Sequence, residues 1–167
     1  MRRQIHHLDP LAHATGCDDV IRSLPYFFGQ PEGVAACAEA VRQQSGWVAE
    51  QDGVVTGFLT LERHVPDSAE VTWMAVCQGH RRAGIGRVLI ERAIADLAGK
   101  GALFMFVFTL GPSFPEQGRA DSYEGTRQFY RSMGFVPLRE LQLEDWSVPA
   151  LLLVRRTDHQ PDYHKSG

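Results

Sequence analysis

Apolar and polar positions change period several times along the 167 residues. Residues 1–8 read as a short strand, ended by Asp9-Pro10, after which alternation is lost and the pattern turns helical. "DDVIRSLPYFFGQ" predicts one short helix stopped by Pro25. Pro31 suits the first turn of a second helix, in which Val34, Cys37, Ala38 and Val41 recur at helical spacing until Gly46. In "WVAEQDGVVTGFLTLERHV" two β-prone runs flank Asp52-Gly53, the pair that favours a tight type I′ turn, so this stretch predicts a hairpin. "AEVTWMAV" is a further strand. Beyond a loop rich in glycine and arginine, Val88, Leu89, Ile94 and Leu97 fall on one helical face that Lys100-Gly101 closes. "ALFMFVFTL" is apolar throughout, the mark of a strand covered on both sides. The loop "GPSFPEQGRADS", the helical "YEGTRQFYRSMG" and strands near 136–143 and 151–155 complete the order. Strands and helices interleaved in this way predict a layered α/β domain with a mixed sheet, and the length suits one domain over 1–167.

Composition narrows the function classes. With 44% hydrophobic and 22% charged residues the chain is an ordinary globular one. A net charge of −3 argues against nucleic-acid binding as the main task. Cys17, Cys37 and Cys77 are odd in number, with no CxxC pair, which favours a reducing cytoplasm over a disulfide scaffold or zinc site. The longest apolar run falls short of the roughly 18 residues a membrane span needs, so neither a membrane nor an export role is expected.

The chemistry concentrates in "VCQGHRRAGIGRVLIERAI", residues 76–94. A helix opens with unpartnered N–H groups and the positive end of its dipole, so the loop feeding it is suited to an anion. Gly84 and Gly86 would let phosphate oxygens approach the backbone, and Arg81, Arg82 and Arg87 add charged donors. No Gly-Lys-Ser/Thr follows, and Leu89 stands where a dinucleotide fingerprint has its third glycine. On spacing alone, a glycine-softened turn with solvated arginines explains the stretch equally well.

"VCQGHRRAGIG" resembles the Arg/Gln-x-x-Gly-x-Gly/Ala acyl-CoA motif of the GNAT superfamily of N-acetyltransferases, with Arg81, Gly84 and Gly86 on its positions. "AEVTWMAV" is similar to the central strand before that motif, and "FYRSMGF" to the family's C-terminal signature. The resemblance covers most of the chain. It implies a GNAT-type fold: a mixed, mostly antiparallel central sheet with helices on both faces, whose parallel strands "AEVTWMAV" and "ALFMFVFTL" splay to admit the pantetheine arm of acetyl-CoA. It further implies that the pyrophosphate lies on the amides of Arg82, Ala83, Gly84, Ile85, Gly86 and Arg87, and that the Val76 N–H holds the thioester oxygen. The implied activity is acyl transfer, acetyl before longer chains, from coenzyme A to an amine on a small molecule or peptide, by direct attack in a ternary complex and without a metal. Dimers are common among such relatives; the sequence leaves oligomeric state open.

A primary amine with a pKa of about 10.4 is mostly protonated at neutral pH, so a carboxylate helps to remove its proton. Glu70 occupies the position of some members' catalytic glutamate, the alternative being a solvent-facing residue at a strand end. Tyr130, four residues before Gly134, matches the family's general acid. Against that stands a core role, because Tyr123, Tyr130 and Met133 share one helical stripe. Many relatives carry Asn seven residues before this tyrosine; here Tyr123 replaces it. Cys77 lacks a matching His and Asp and is not expected to be a nucleophile. His6, His7 and His13 cluster in sequence, with no acidic or cysteine partner at metal spacing. Trp47 and Trp73 read as core, while Phe27 and Phe28 suit either packing or the acceptor cleft. Glu62, Asp67, Asp121, Glu124, Glu144 and Asp145 could draw a cationic acceptor, or form a solvated face. Two other classes remain: a non-catalytic acyl-CoA-binding or sensing module, and an ATP- or NAD-binding module that lacks the Lys and acidic partner such sites use.

Overall fold

A computed structural model describes residues 2–116 and 122–158. Met1 of the expected first strand, residues 117–121 of the expected loop and the acidic Asp121 lie outside the described residues. The elements run β1 (Arg3–His7), α1 (Pro10–Arg22), α2 (Pro31–Gln43), β2 (Ser45–Gln51), β3 (Val54–Val65), β4 (Ser68–Val76), α3 (Ile85–Gly99), β5 (Phe104–Leu110), α4 (Tyr123–Ser132), β6 (Val136–Leu141) and β7 (Ala150–Arg156), with one 3-10 turn at Gln78–His80. They form two compact units, Met1–Arg63 with Val71–Asp96, and His64–Glu70 with Leu97–Gly167.

In the first unit the strands follow the order β1-β2-β3-β4. β1 and β2 pair antiparallel, Ile5 opposite Ala49, and β2 and β3 likewise, Val48 opposite Phe58. Asp52 (φ 53°) and Gly53 (φ 81°) both take the left-handed conformation of a type I′ turn, as the Asp-Gly pair predicts. α1 joins the helical pattern expected after Asp9-Pro10 and the short helix expected to stop at Pro25 into one helix that ends at Arg22. Asp9 does more than end β1: its Oδ1 accepts from the Leu11 N–H (3.0 Å) and Pro10 fills the first helical position. Cys17, Val20, Ile21 and Leu24 of α1 and its C-terminal turn join Cys37 and Val41 of α2 and Val48, Phe58 and Ala75 of the strands in one buried cluster. At about 25 cal/mol per Å2 of apolar surface, such burial is the main force holding the helices to the strands. Gly46 does not end α2; it lies inside β2, where a Cβ would run into the Leu59 carbonyl.

In the second unit the order is β5-β7-β6, with both pairings antiparallel: Phe106 faces Val154, Phe108 faces Leu152, and Pro137 faces Leu153. The Asp67 carbonyl, in the turn between β3 and β4, accepts from the N–H groups of Leu103 (2.7 Å) and Phe104 (3.1 Å). The Leu103 carbonyl in turn accepts from the Thr157 N–H (2.8 Å). β5 corrects the expectation of a strand covered on both sides. Met105, Val107 and Thr109 are buried, but Phe104 is 39% exposed and Phe106 and Phe108 are half-buried. Continuous apolarity cannot distinguish a strand between two layers from one whose second face meets an open groove.

Candidate active site

The arginine-glycine loop belongs to the first unit. Arg82 (φ 65°) and Gly84 (φ 78°) both adopt left-handed backbone just ahead of α3. The Gly84 carbonyl accepts the early α3 bond from the Val88 N–H (3.2 Å). A Cβ on Gly84 would meet nothing within 4 Å, so packing leaves this position open and the positive φ is what favours glycine. Ile85, 1% exposed, pins the loop to the core, while Arg82, Ala83, Gly84 and Arg87 face outward. Beneath it, Gly57 of β3 lets strand and helix meet: a Cβ there would lie 2.9 Å from Ile85 Cγ2, 3.1 Å from the Ala75 carbonyl and 3.4 Å from Val76 Cγ2.

Neighbours hold the loop in place. Arg3 Nη2 donates to the Ala83 carbonyl (2.9 Å), and the Gln78 N–H donates to Ser23 Oγ (3.2 Å). The Arg81 guanidinium sits 4.8 Å above the Phe27 ring, which gives Phe27 a place beside the loop. Phe28 stacks on Trp73 at 5.8 Å. Arg87 pairs with Glu91 at 3.5 Å across one exposed turn of α3. The Cys77 N–H is taken by the Thr56 carbonyl (2.8 Å) at the end of β4, next to half-buried Val76. His80 Nδ1 is buried without a hydrogen-bond partner among the described residues.

Glu70 and Tyr130 belong to the second unit. His64 Nε2 lies 2.7 Å from Glu70 Oε2; an ionised carboxylate only accepts, so the imidazole is the donor. The His64 ring is 6.2 Å from that of Phe106. Tyr130, 4% exposed, packs edge-on against Phe129 and Phe135 at 5.2 and 5.3 Å. Burial pushes its phenol up, so it stays protonated throughout the working pH range. Arg127, one turn earlier on α4, is 8% exposed and donates to the Leu110 carbonyl (2.7 Å) and to Glu124 (2.9 Å), with Glu116 at 3.6 Å. The N–H of Tyr123, the residue standing in place of the family's Asn, is bonded by Glu116 Oε1 (2.8 Å).

Two partners escaped the sequence. His64 lies six positions before Glu70, across the Pro66-Asp67 turn, and that short β-turn-β spacing is the signal that relates them. Glu50, distant in sequence from the N-terminal histidines, places Oε2 3.4 Å from His6 Nε2 and Oε1 3.6 Å from His13 Nε2. Sheet pairing of β1 with β2 brings His6 to Glu50, and α1, which follows β1, brings His13 to the same carboxylate, across more than 35 positions of sequence.

Comparison with known proteins bears on the same loop and strands. Residues 42–137 match the acetyltransferase (GNAT) domain family. An uncharacterised N-acetyltransferase from Chlorobaculum tepidum is 37% identical over 68 residues, 41% of this chain and 44% of that protein, so the match spans less than half the relative's length. A protein from Desulfovibrio desulfuricans assigned to the GNAT acetyltransferases superposes with a TM-score of 0.77 at 19% identity, over 93% of this chain and 99% of its own. A Salmonella typhimurium protein assigned as an acetyltransferase and solved with its cofactor acetyl-CoA gives a TM-score of 0.65 at 17% identity, over 98% and 99%. The structural likenesses establish the fold; with the family match across 42–137, more than half of the sequence, the chain belongs to the GNAT acetyltransferase family.

Proposed function

We propose that the protein transfers an acetyl group from acetyl-CoA to a primary amine by direct attack, with both substrates bound together. The observation that carries this is the loop 81–87, a family-matched, outward-facing turn with two left-handed residues ahead of α3. Its residues suit a pyrophosphate. Gly84 offers backbone with no atom within 4 Å of a would-be Cβ, Arg82 and Arg87 are exposed cations, and His80 Nδ1 is a buried polar atom awaiting a partner. The Salmonella relative's acetyl-CoA supports the choice of ligand.

Acetyl-CoA supplies an activated thioester carbonyl. Arg81, Arg82 and Arg87 with the amides of 82–87 would hold its phosphates, and the Val76 N–H would donate to the acyl oxygen, where negative charge develops. With Oε2 engaged by His64, Glu70 Oε1 is the atom that takes the ammonium proton. Tyr130 Oη, kept protonated by burial, holds the proton for the leaving sulfur.

Thermal melting with acetyl-CoA, coenzyme A, ATP and NAD tests the cofactor. A ligand at 100 times its Kd adds about 2.7 kcal/mol, roughly 5–11 °C for a chain of this size. Only the two coenzyme A species should stabilise the protein. Tyr130→Phe should then slow amine-dependent CoA release by about 100-fold or more with the acetyl-CoA shift retained. Absence of any shift at millimolar acetyl-CoA defeats the proposal; a shift with no transfer to any amine would instead make the protein an acyl-CoA sensor.

A further inference from the structure

The outer face of β5 is an aromatic ladder without a layer over it among the described residues. Phe104, Phe106 and Phe108 alternate onto that face, and the register sets Val154 opposite Phe106 and Leu152 opposite Phe108. The β6–β7 register slips between Pro137 and Arg139, and the residue at the bulge, Leu138, is 59% exposed and reaches the same space. These six side chains line a groove of about 300 Å3, at the small end of ligand sites and large enough for one ring and a short chain.

Charge at its border selects the occupant. Ser68, which also lines the groove, and Glu70 are two apart on β4 and therefore share a face; Ala69 and Val71 between and beyond them are buried on the other. The His64 ring touches the ladder at Phe106 and its Nε2 is bound to the Glu70 carboxylate. An occupant with an apolar body and one ammonium can place the body on the phenylalanines and the nitrogen at Glu70. Arg156 pairs opposite Phe104, so a second positive charge on the occupant would meet a guanidinium there.

We infer that the acceptor is a monocationic primary amine bearing an aromatic or branched aliphatic group, which lies in this groove with its nitrogen at the His64–Glu70 pair. This rests on the N-acetyltransferase reading and names the acceptor class for it.

Two readouts separate the inference from its foundation. The first is direct binding of 4-fluorophenethylamine, followed by 19F line broadening without acetyl-CoA. The second is CoA release with 2-phenylethylamine, isoamylamine, ethanolamine and spermidine. Expected are saturable binding, weakened by Leu138→Gln and by Glu70→Gln, and kcat/KM for phenylethylamine about 10-fold or more above those of ethanolamine and spermidine. That ratio should collapse in Leu138→Gln and persist in Val54→Gln, an exposed change on β3. Leu138 is mostly exposed, so its variant should fold, which a retained acetyl-CoA melting shift would verify. Binding lost in Leu138→Gln but no CoA release with any amine would keep the groove and sink the transferase reading. CoA release with a flat ranking that Leu138→Gln leaves alone would keep the transferase and sink the groove. No amine binding, or a dimer by sedimentation that Leu138→Gln turns into a monomer, would overturn the inference, the groove then being covered by nothing or by a second copy of the chain.

Discussion

Gly57→Ala puts a single methyl group where β3, the end of β4 and the start of α3 converge. The new Cβ would stand 2.9 Å from Ile85 Cγ2, 3.1 Å from the Ala75 carbonyl oxygen and 3.4 Å from Val76 Cγ2. The Ile85 methyl can rotate away only into a core where this side chain is already 1% exposed, and the carbonyl belongs to a strand that cannot yield without moving β4. Overpacking of this kind costs about 1–3 kcal/mol. At about 2–4 °C per kcal/mol for a chain of this size, a central cost of about 2 kcal/mol lowers the melting temperature by about 4–8 °C. Because the residues pushed are Val76 and Ile85, at the two ends of the segment carrying the loop, the acetyl-CoA melting shift should shrink as well. Gly79→Ala is the control: a Cβ there meets nothing within 4 Å, so its melting point should stay within about 0.5 kcal/mol of stability of the parent. Differential scanning calorimetry with and without 1 mM acetyl-CoA as an order-of-magnitude excess reads both effects. A Gly57→Ala protein that melts with the parent, or a Gly79→Ala protein that falls as far, would refute the close approach described here.

Three further outcomes follow from features away from the loop. Asp9→Ala removes the cap of α1 and should cost about 1 kcal/mol in urea denaturation; an unchanged midpoint would mean the cap contributes nothing. Arg127→Met leaves Glu116, whose side chain is 9% exposed, without its buried cation and strips the Leu110 carbonyl of a donor, for a loss of about 3–5 kcal/mol that Glu116→Gln in the same chain should partly restore. Burial, helped by the charge of Asp18 and opposed by Arg42, holds the Cys17 thiol protonated up to about 12 against an ordinary value of 9.0. Unfolding between those values releases its proton, so the stability from this group is complete below pH 9.0 and is lost as pH rises toward about 12. Urea midpoints measured from pH 8 to about 11 should therefore fall less steeply in Cys17→Ala than in the parent, and parallel slopes would contradict this.

What the sequence conveyed was local chemistry. Asp52-Gly53 announces its turn because few residue pairs accept two successive positive φ values, and Pro31 announces α2 because a first helical turn has no use for its missing N–H. The glycine-arginine stretch was legible as a turn feeding a helix, though the reason for Gly84, its backbone conformation, required coordinates. Failures share one cause: each depended on what lies across a strand. Whether "ALFMFVFTL" is covered on one face or two, which carboxylate meets His6 and His13, and which imidazole meets Glu70 all depend on how separate segments come together, and that is a property of pairs of segments.

The order β5-β7-β6 also governs how this half of the chain can be made. β6 leaves the ribosome before β7, yet its partner in the sheet is β7, as is that of β5 on this side. Until Ala150–Arg156 has been synthesised and inserted, β5 and β6 wait with open edges, and the Leu103 carbonyl has no Thr157 to bond. Assembly of these strands therefore waits for β7, and a chain truncated ahead of Ala150 would present two unpaired edges to chaperones or proteases.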